Sequence, residues 1–448
     1  MTRVFGHYVP LEMIGLWLIE FTPCLFVIYL LLGPASAPML DISALQHAAI
    51  LALALSATWT AIGLYRPEIC LETRRLFVST ATGAALGLPV LLLAAMACGI
   101  DTGALTGGSV LRPVQFVVTW IVLLFATRLA FRAALRFDMF ARRVLVVGRP
   151  ADAARTRAAI ERMRAGFFTL AGIASPSDAL ALSPAALATK KIWAVVVTEE
   201  ARGALPQEEL MRGKHAGIHV YSDVEFREQQ LRRIDLAHLA PDWMIFAPGL
   251  SRGPVEAAIR RGFDIAISLG MLAFTLPLLG LTALLVRLDS TGPILYRQER
   301  VGLQGRVFTL LKFRSMRVDA EAGGPAWAAK RDSRVTRIGG FLRRSRIDEL
   351  PQLINVLKGE MSFVGPRPER PHFVAQLAAE IPFYHDRASV KPGITGWAQV
   401  NYPYGASIED ARQKLSYDLY YIKRRSLFLD FLILVATIRV ILFQEGSR

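Results

Sequence analysis

At 448 residues the chain is too long for one ordinary domain, and a hydrophobic content of 53% is high for a soluble protein, so part of it belongs in lipid. With 52 Lys and Arg against 37 Asp and Glu, the formal charge of +15 suits anionic lipid surfaces or phosphorylated substrates. No nucleic-acid-binding module is recognisable, and the three cysteines, Cys24, Cys70 and Cys98, offer no metal spacing, redox pair or disulfide framework.

Four apolar stretches open the chain, Leu11 to Leu32, Ala44 to Leu64, Phe77 to Cys98 and Pro113 to Leu135, each near the ~20 residues a helix needs to cross a bilayer. Arginines gather at Arg3, at Arg66, Arg74 and Arg75, and from Arg128 to Arg143, while "GPASAPMLDIS" and "CGIDTGALTGGS" carry none. The positive-inside rule therefore predicts a bundle with both ends in the cytoplasm. Glu12 and Glu20, in or near the first span, are expected to face protein rather than lipid. Gly83 and Gly87 form a GxxxG in the third span, a pattern compatible with a homo-oligomer seam.

Next, "RRVLVVG", "FFTLAGIA", "IWAVVVT" and "GIHVY" read as short buried strands alternating with helical stretches, the pattern of a parallel α/β sheet. A dinucleotide site wants G-x-G-x-x-G after the first strand, and the chain offers only Gly148-Arg149-Pro150-Ala151. This Rossmann-like domain, residues 141–250, is expected to be structural or regulatory rather than cofactor-binding. From Ile265 to Val286 the chain is again apolar enough to span, yet Pro277 sits in its middle and arginines flank both ends, Arg260 and Arg261 before it and Arg287, Arg297 and Arg300 after it. We expect a re-entrant helix at about 262–288 that breaks at Pro277 and returns to the cytoplasmic side, its base braced by Ser268 or by the Arg261 and Asp264 pair. A kinked fifth span is the alternative.

From about Arg260 to the end, the segments "RRGFDIAIS", "YRQERVG", "FTLLKFRSM", "RSRIDELPQLINVLKGEMSFVGPRPE", "KPGITGWAQVNY" and "YDLYYIKRRSLFLDFLILVATI" occur in an order that resembles the bacterial sugar transferases, the monotopic polyprenyl-phosphate hexose-1-phosphate transferases. The front half resembles the long members of that family in architecture alone. The resemblance implies transfer of a hexose 1-phosphate from a UDP-sugar to undecaprenyl phosphate, with release of UMP and with Mg2+, as the first step of exopolysaccharide or related glycan assembly. It also implies that Asp348 is the nucleophile, close to the magnesium, and that Glu349 supports metal or proton handling.

The residues themselves suit that chemistry. Attack on phosphorus amid several negative charges needs a nucleophile, a cation and fixed positive donors. Asp348 and Glu349 are adjacent and so do not share a helix face, which predicts divided roles, catalytic and metal-binding. Pro351 suits a helix start just after them. Arg367, held between Pro366 and Pro368, is a preorganised fork for phosphate, a segment that the resemblance puts in the nucleotide-sugar site. Lys312, Arg314 and Arg300 are the further donors assigned to the diphosphate. Gln399 in the "KPGITGWAQ" loop is either a structural hydrogen bonder or part of a sugar pocket, and the apolar stretch from Ser426 to Phe443 reads as a packed or interfacial helix.

The expected architecture is thus a membrane α-helical bundle (1–140), a Rossmann-like α/β domain (141–250) and an α-rich α+β monotopic catalytic domain (251–448), in the bacterial inner membrane with the catalytic part cytoplasmic. Two other classes compete: a membrane-tethered NAD-dependent sugar-nucleotide epimerase or dehydratase, which lacks its glycine fingerprint here, and a non-catalytic assembly regulator, which leaves Asp348 and Glu349 without a purpose.

Overall fold

The computed structural model describes residues 2–4, 7–9, 11–32, 41–65, 69, 72–100, 111–137, 139–162, 167–178, 183–205, 207–239, 241–250, 253–318, 320, 333–403, 405 and 407–443. Arg66, Cys70 and most of the two arginine-free loops, used above for orientation and redox arguments, lie outside these. The chain forms two compact units, Met1–Leu231 and Arg232–Arg448.

The first unit begins with a short hairpin, β1 (Thr2–Val4) and β2 (His7–Val9), that the sequence pattern does not reveal. Four helices follow, Leu11–Leu32, Ile42–Ile62, Thr73–Ala97 and Leu111–Arg136, all long and apolar enough to cross a membrane. Asp41 caps the second helix by accepting from Ser43 N at 2.9 Å, and Gly63 ends it in the left-handed region at φ 88°. Cys24, Ile28, Leu51, Leu55 and Leu124 fill the bundle, with the Trp59 and Trp120 rings stacked at 5.2 Å. Gly83 and Gly87 are consumed inside it. A Cβ at Gly83 would lie 3.1 Å from Leu64 and 3.3 Å from Trp59, and one at Gly87 3.1 Å from Leu55. The GxxxG therefore seats the third helix on the second, and its close-packing face is not free for a homo-oligomer seam. Glu20 is fully buried and pairs with fully buried Arg128 at 2.8 Å, turned toward protein as a carboxylate at that depth must be. Glu12 pairs with Arg142 at the first strand beyond the bundle.

Four parallel strands, β3 (Arg142–Val147), β4 (Phe168–Ala174), β5 (Ile192–Val197) and β6 (His219–Ser222), form one sheet in the order β4-β3-β5-β6. The helix Pro150–Arg162 follows β3 directly. A Cβ on Gly148 would stand 2.4 Å from Oγ1 of Thr198, at the end of β5. That glycine is required by the approach of Thr198, a packing reason that needs no phosphate.

In the second unit, residues 232–250, which the sequence pattern groups with the α/β domain, pack into the core around the later helices: Ile234, Trp243 and Ala247 lie among Trp397, Leu415, Leu419, Tyr421, Leu429 and Ile433. The helix Pro254–Asp289 comes next, 36 residues long. It does not break at Pro277 as expected. A proline removes one rung of the helical ladder and bends the helix, and the rungs on either side carry it through. Both ends of this helix hold to the same unit. Arg260 pairs with Asp430, Arg261 donates at 2.6 Å to the carbonyls of both Val356 and Leu357, and Asp264 accepts from Ser362 Oγ at 3.0 Å and Phe363 N at 2.8 Å. At the far end Val286 packs with Phe313 and Leu342, and Asp289 accepts from Ile338 N at 3.2 Å. Arg261 and Asp264 thus brace the helix separately rather than as a pair, and the buried Ser268 hydroxyl has no hydrogen-bond partner, so it is not a brace. Between the anchored ends the helix shows apolar side chains outward, Phe274 being 88% exposed.

Beyond it stand an antiparallel hairpin, β7 (Leu295–Val301) and β8 (Val307–Phe313), and a parallel pair, β9 (Ser362–Val364) and β10 (Gly393–Thr395), among short helices. The last helix, Leu427–Leu442, buries Leu429, Asp430, Ile433, Ala436 and Arg439, as a packed helix does.

Candidate active site

The short basic helix Arg337–Ser345 ends at Arg346, whose left-handed backbone (φ 60°) reverses the chain into a single 3-10 turn, Ile347–Glu349. Pro351 then stands immediately before the helix Gln352–Lys358. This punctuation fixes the acid pair between two helices at one wall of a cavity of about 590 Å³. Asp348 and Glu349 are 6% and 8% exposed, and burying two adjacent carboxylates requires compensation.

Glu349 receives it. Its Oε1 lies 2.7 Å from Arg367 Nη2, 3.0 Å from Lys312 Nζ and 3.6 Å from Arg346 Nη1. Burial pushes its carboxyl up, but Arg367, Lys312 and Arg346 together outweigh that and hold it well below the usual range. Asp348 shifts the other way. Burial raises its pKa and the Glu349 charge adds to the rise, against the opposing pull of Lys312, Arg367 and Arg346. Its Oδ1 is buried without a hydrogen-bond partner. Environments that split two neighbouring carboxyls in this way suit them to different work.

The cations are held as firmly as the acids. Lys312 sits on β8, and the fully buried Asn355 locks that strand by accepting from Leu311 N at 3.1 Å and donating to Thr309 O at 2.7 Å. Around Arg367 each backbone carbonyl has a donor: Pro366 O from Gly393 N at 3.0 Å, Arg367 O from Arg387 Nη2 at 2.9 Å, and Pro368 O from Arg300 Nη1 at 2.9 Å. Pro366 and Pro368 thus frame a turn with no free backbone acceptor. Arg300 acts on it from behind, although it also lines the cavity. Arg314 also lines the cavity, while its guanidinium is engaged at the end of the preceding helix. Its guanidinium donates to Ser290 O at 2.6 Å, Thr291 O at 2.8 Å and Ser290 Oγ at 3.0 Å, capping the helix Pro254–Asp289. Gln399 donates to Ile394 O at 3.1 Å and leaves its buried Oε1 without a partner on the cavity wall.

Three further residues of the cavity wall carry no motif. Arg346 is the third cation on Glu349, visible in sequence only as one basic residue among several. Arg387 stacks on Tyr384 at 5.1 Å and pairs with buried Asp418 at 2.9 Å. Burial pushes the Asp418 carboxyl up to about 6 despite that arginine.

Among the described residues, no three His, Cys, Asp or Glu gather in a metal-binding group. The donor set still fits a hard divalent cation of the kind that takes one carboxylate and completes its shell with substrate oxygens and water. Asp348, with its unpartnered oxygen, would be the residue to hold such an ion, whereas Oε1 of Glu349 is occupied by cations.

Fixed cations converging on one member of a buried acid pair, in a chain with several helices apolar enough to cross a membrane, are an arrangement suited to phosphorylated groups. Residues 255–444 match the family described as bacterial sugar transferase. A UDP-N-acetylgalactosamine-undecaprenyl-phosphate N-acetylgalactosaminephosphotransferase of Aeromonas hydrophila is 45% identical over 239 residues, 53% of this chain and 56% of that protein. A UDP-glucose:undecaprenyl-phosphate glucose-1-phosphate transferase of Xanthomonas campestris pv. campestris is 48% identical over 174 residues, 38% of this chain and 36% of that protein. An exopolysaccharide production protein of Rhizobium leguminosarum bv. phaseoli is 41% identical over 193 residues, 41% of this chain and 95% of that protein. The chain belongs to the bacterial sugar transferase family. It spans about half of the Aeromonas relative and about a third of the Xanthomonas one.

Proposed function

We propose that this chain moves a hexose 1-phosphate from a UDP-sugar to undecaprenyl phosphate, releasing UMP, as an initiating step of exopolysaccharide or related glycan assembly. The observation that carries the reading is the split acid pair. Asp348 keeps an oxygen without a partner in the cavity, while Glu349 gathers Lys312, Arg346 and Arg367 beside it. Asp348 attacks the sugar-bearing phosphorus of the donor, and the bond to the UMP oxygen breaks. An oxygen of undecaprenyl phosphate then displaces the aspartate from the same phosphorus. Glu349 serves by neutralising and spacing the cations, which would otherwise repel one another, so that they are already placed for the donor's diphosphate. Magnesium, held at Asp348, would supply charge screening between carboxylate and diphosphate.

The relatives' names support both substrates, and they carry different sugars, N-acetylgalactosamine and glucose, so the proposal stops at the hexose class. We further propose that the helix Pro254–Asp289 re-enters, leaving the membrane on the side it entered, and that this side is the cytoplasmic face of the inner membrane, where UDP-sugars are made. Its two ends grip one compact unit while its apolar middle is exposed, an arrangement that suits shallow insertion better than a crossing. The test is UMP release by purified protein in nanodiscs, given a panel of UDP-sugars and undecaprenyl phosphate. Release dependent on both substrates is expected. Release in the absence of acceptor beyond a single turnover, or none with any donor, overturns the reading.

A further inference from the structure

Residues 232–250 precede the span that matches the family, which begins at 255, and nothing in the motifs gives them a role. They nevertheless hold three walls of the active-site cavity. The indole of Trp243, 5% exposed, donates to Asp386 Oδ2 at 2.8 Å. Asp386 belongs to the 3-10 segment Tyr384–Ser389, which also carries Arg387, the donor to Arg367 O. On a second wall the bond runs the other way, the indole of Trp397 donating to Arg232 O at 2.9 Å, with Arg232 in the left-handed region (φ 52°). Trp397 opens the short helix that bears Gln399. On the third wall, the helix Ile408–Arg424 that carries Asp418, Ile234 N donates to Ser416 O at 2.9 Å and Arg233 Nη1 to Gln413 Oε1 at 2.7 Å. The far end of the segment is sewn on at Gly249, whose N–H donates to Lys423 O at 3.1 Å. A Cβ there would fall 1.9 Å from Ile422 O.

We propose that residues 232–250 form a strap that sets the donor site, with Trp243 and Asp386 as positioning residues acting through Arg387 on the Arg367 turn. The inference rests on the transferase reading above. A buried hydrogen bond fixes an element only while both partners remain, and an indole N–H that loses its acceptor is costly to leave buried. Removing either partner frees the Tyr384–Ser389 segment to shift, and with it the carbonyl grip on Arg367. The binding of the UDP-sugar should suffer, and the chemistry at Asp348, tied down separately by the turn after Arg346, should not.

The test uses the full chain with Trp243→Phe, Asp386→Ala, Asp386→Asn and the double variant Trp243→Phe/Asp386→Ala. Steady-state kinetics would be combined with calorimetric titration of UDP and thermal melting. Trp243→Phe and Asp386→Ala should each raise the KM for the UDP-sugar and the Kd for UDP about fivefold, the scale of one lost hydrogen bond, with kcat and the acceptor KM changed by less than about twofold. Asp386→Asn, which keeps an acceptor oxygen, should recover most of the loss, and the double variant should be no worse than either single one. Variants that melt earlier but keep the parent's KM and Kd make the strap purely structural and overturn the inference, as does additivity in the double variant. A parent that neither turns over a UDP-sugar nor binds UDP removes the transferase reading itself, and this inference with it.

Discussion

Glu349 and Arg367 meet across eighteen positions of chain, with Oε1 2.7 Å from Nη2. The carboxylate holds one arm of the guanidinium while Arg367's own carbonyl is held by Arg387. An arginine pinned at both backbone and head loses little freedom on meeting a phosphate.

Arg367→Lys is therefore expected to raise the KM for the UDP-sugar about tenfold, the cost of replacing a planar two-point contact by a point charge, and to leave the acceptor KM within about twofold. Initial-rate kinetics with each substrate varied in turn decide it. A larger effect on the acceptor would place Arg367 at the other substrate.

Asp348→Asn should remove turnover, by roughly a thousandfold or more, because a neutral amide cannot form the acyl phosphate. Melting should stay near the parent's, since Asp348 Oδ1 has no partner to lose. Glu349→Gln should retain partial activity with a raised donor KM, because its part is to order cations. UMP release above a trace from Asp348→Asn would take the nucleophile away from that residue.

The acid limb of kcat/KM follows from the Asp348 environment. Attack needs the carboxylate, and burial together with the Glu349 charge raises its pKa, so at sub-saturating magnesium, where no bound cation offsets that rise, activity should fall with decreasing pH at a midpoint above the ordinary aspartate value of about 4. Lys312 opposes that rise. Lys312→Met should therefore move the limb of the residual activity to still higher pH, and a limb displaced downward would contradict this electrostatic account.

The buried pair of Glu20 and Arg128 predicts an asymmetry in the bundle. Glu20→Ala strands a fully buried guanidinium and should destabilise the bundle by about 3–5 kcal/mol, while replacing both residues by leucine should recover most of that loss. Melting in detergent, followed by circular dichroism, compares the two. Equal destabilisation by the single and double variants would mean that the pair supplies something apolar packing cannot.

How far the sequence revealed this depended on the reach of each interaction. Periodicity located the four bundle helices and the strands of the α/β sheet, because alternation and apolar length are local properties. Asp348, Glu349, Lys312 and Arg367 were legible as chemistry, and the structure gathers Lys312 and Arg367 on Oε1 of Glu349 with Asp348 next to it in the chain. Arg314 was not, since its commitment to Ser290 and Thr291 depends on where a helix ends in space. Gly83 and Gly87 signalled a close approach without naming the partner, which turned out to be the neighbouring helix. Trp243 looked like any apolar residue, and its value lies in an indole hydrogen bond to a residue 143 positions away.

Topology gives the last prediction. The helix Pro254–Asp289 is 36 residues, roughly 54 Å at 1.5 Å per residue, well beyond the ~30 Å of a hydrocarbon core. A straight crossing would carry its two ends to opposite faces, yet Asp264 and Asp289 both hydrogen-bond backbone of the same unit. Partial insertion that leaves both anchors on one side satisfies both the exposed apolar middle and the two anchors. Cysteines placed at Gly253 and Gln304, on a background lacking Cys24, Cys70 and Cys98, should both resist a membrane-impermeant thiol reagent in intact cells, and both should react once the cells are opened. Labelling of Gln304→Cys alone from outside would make this helix a fifth span and would set Asp348 on the face away from its donor.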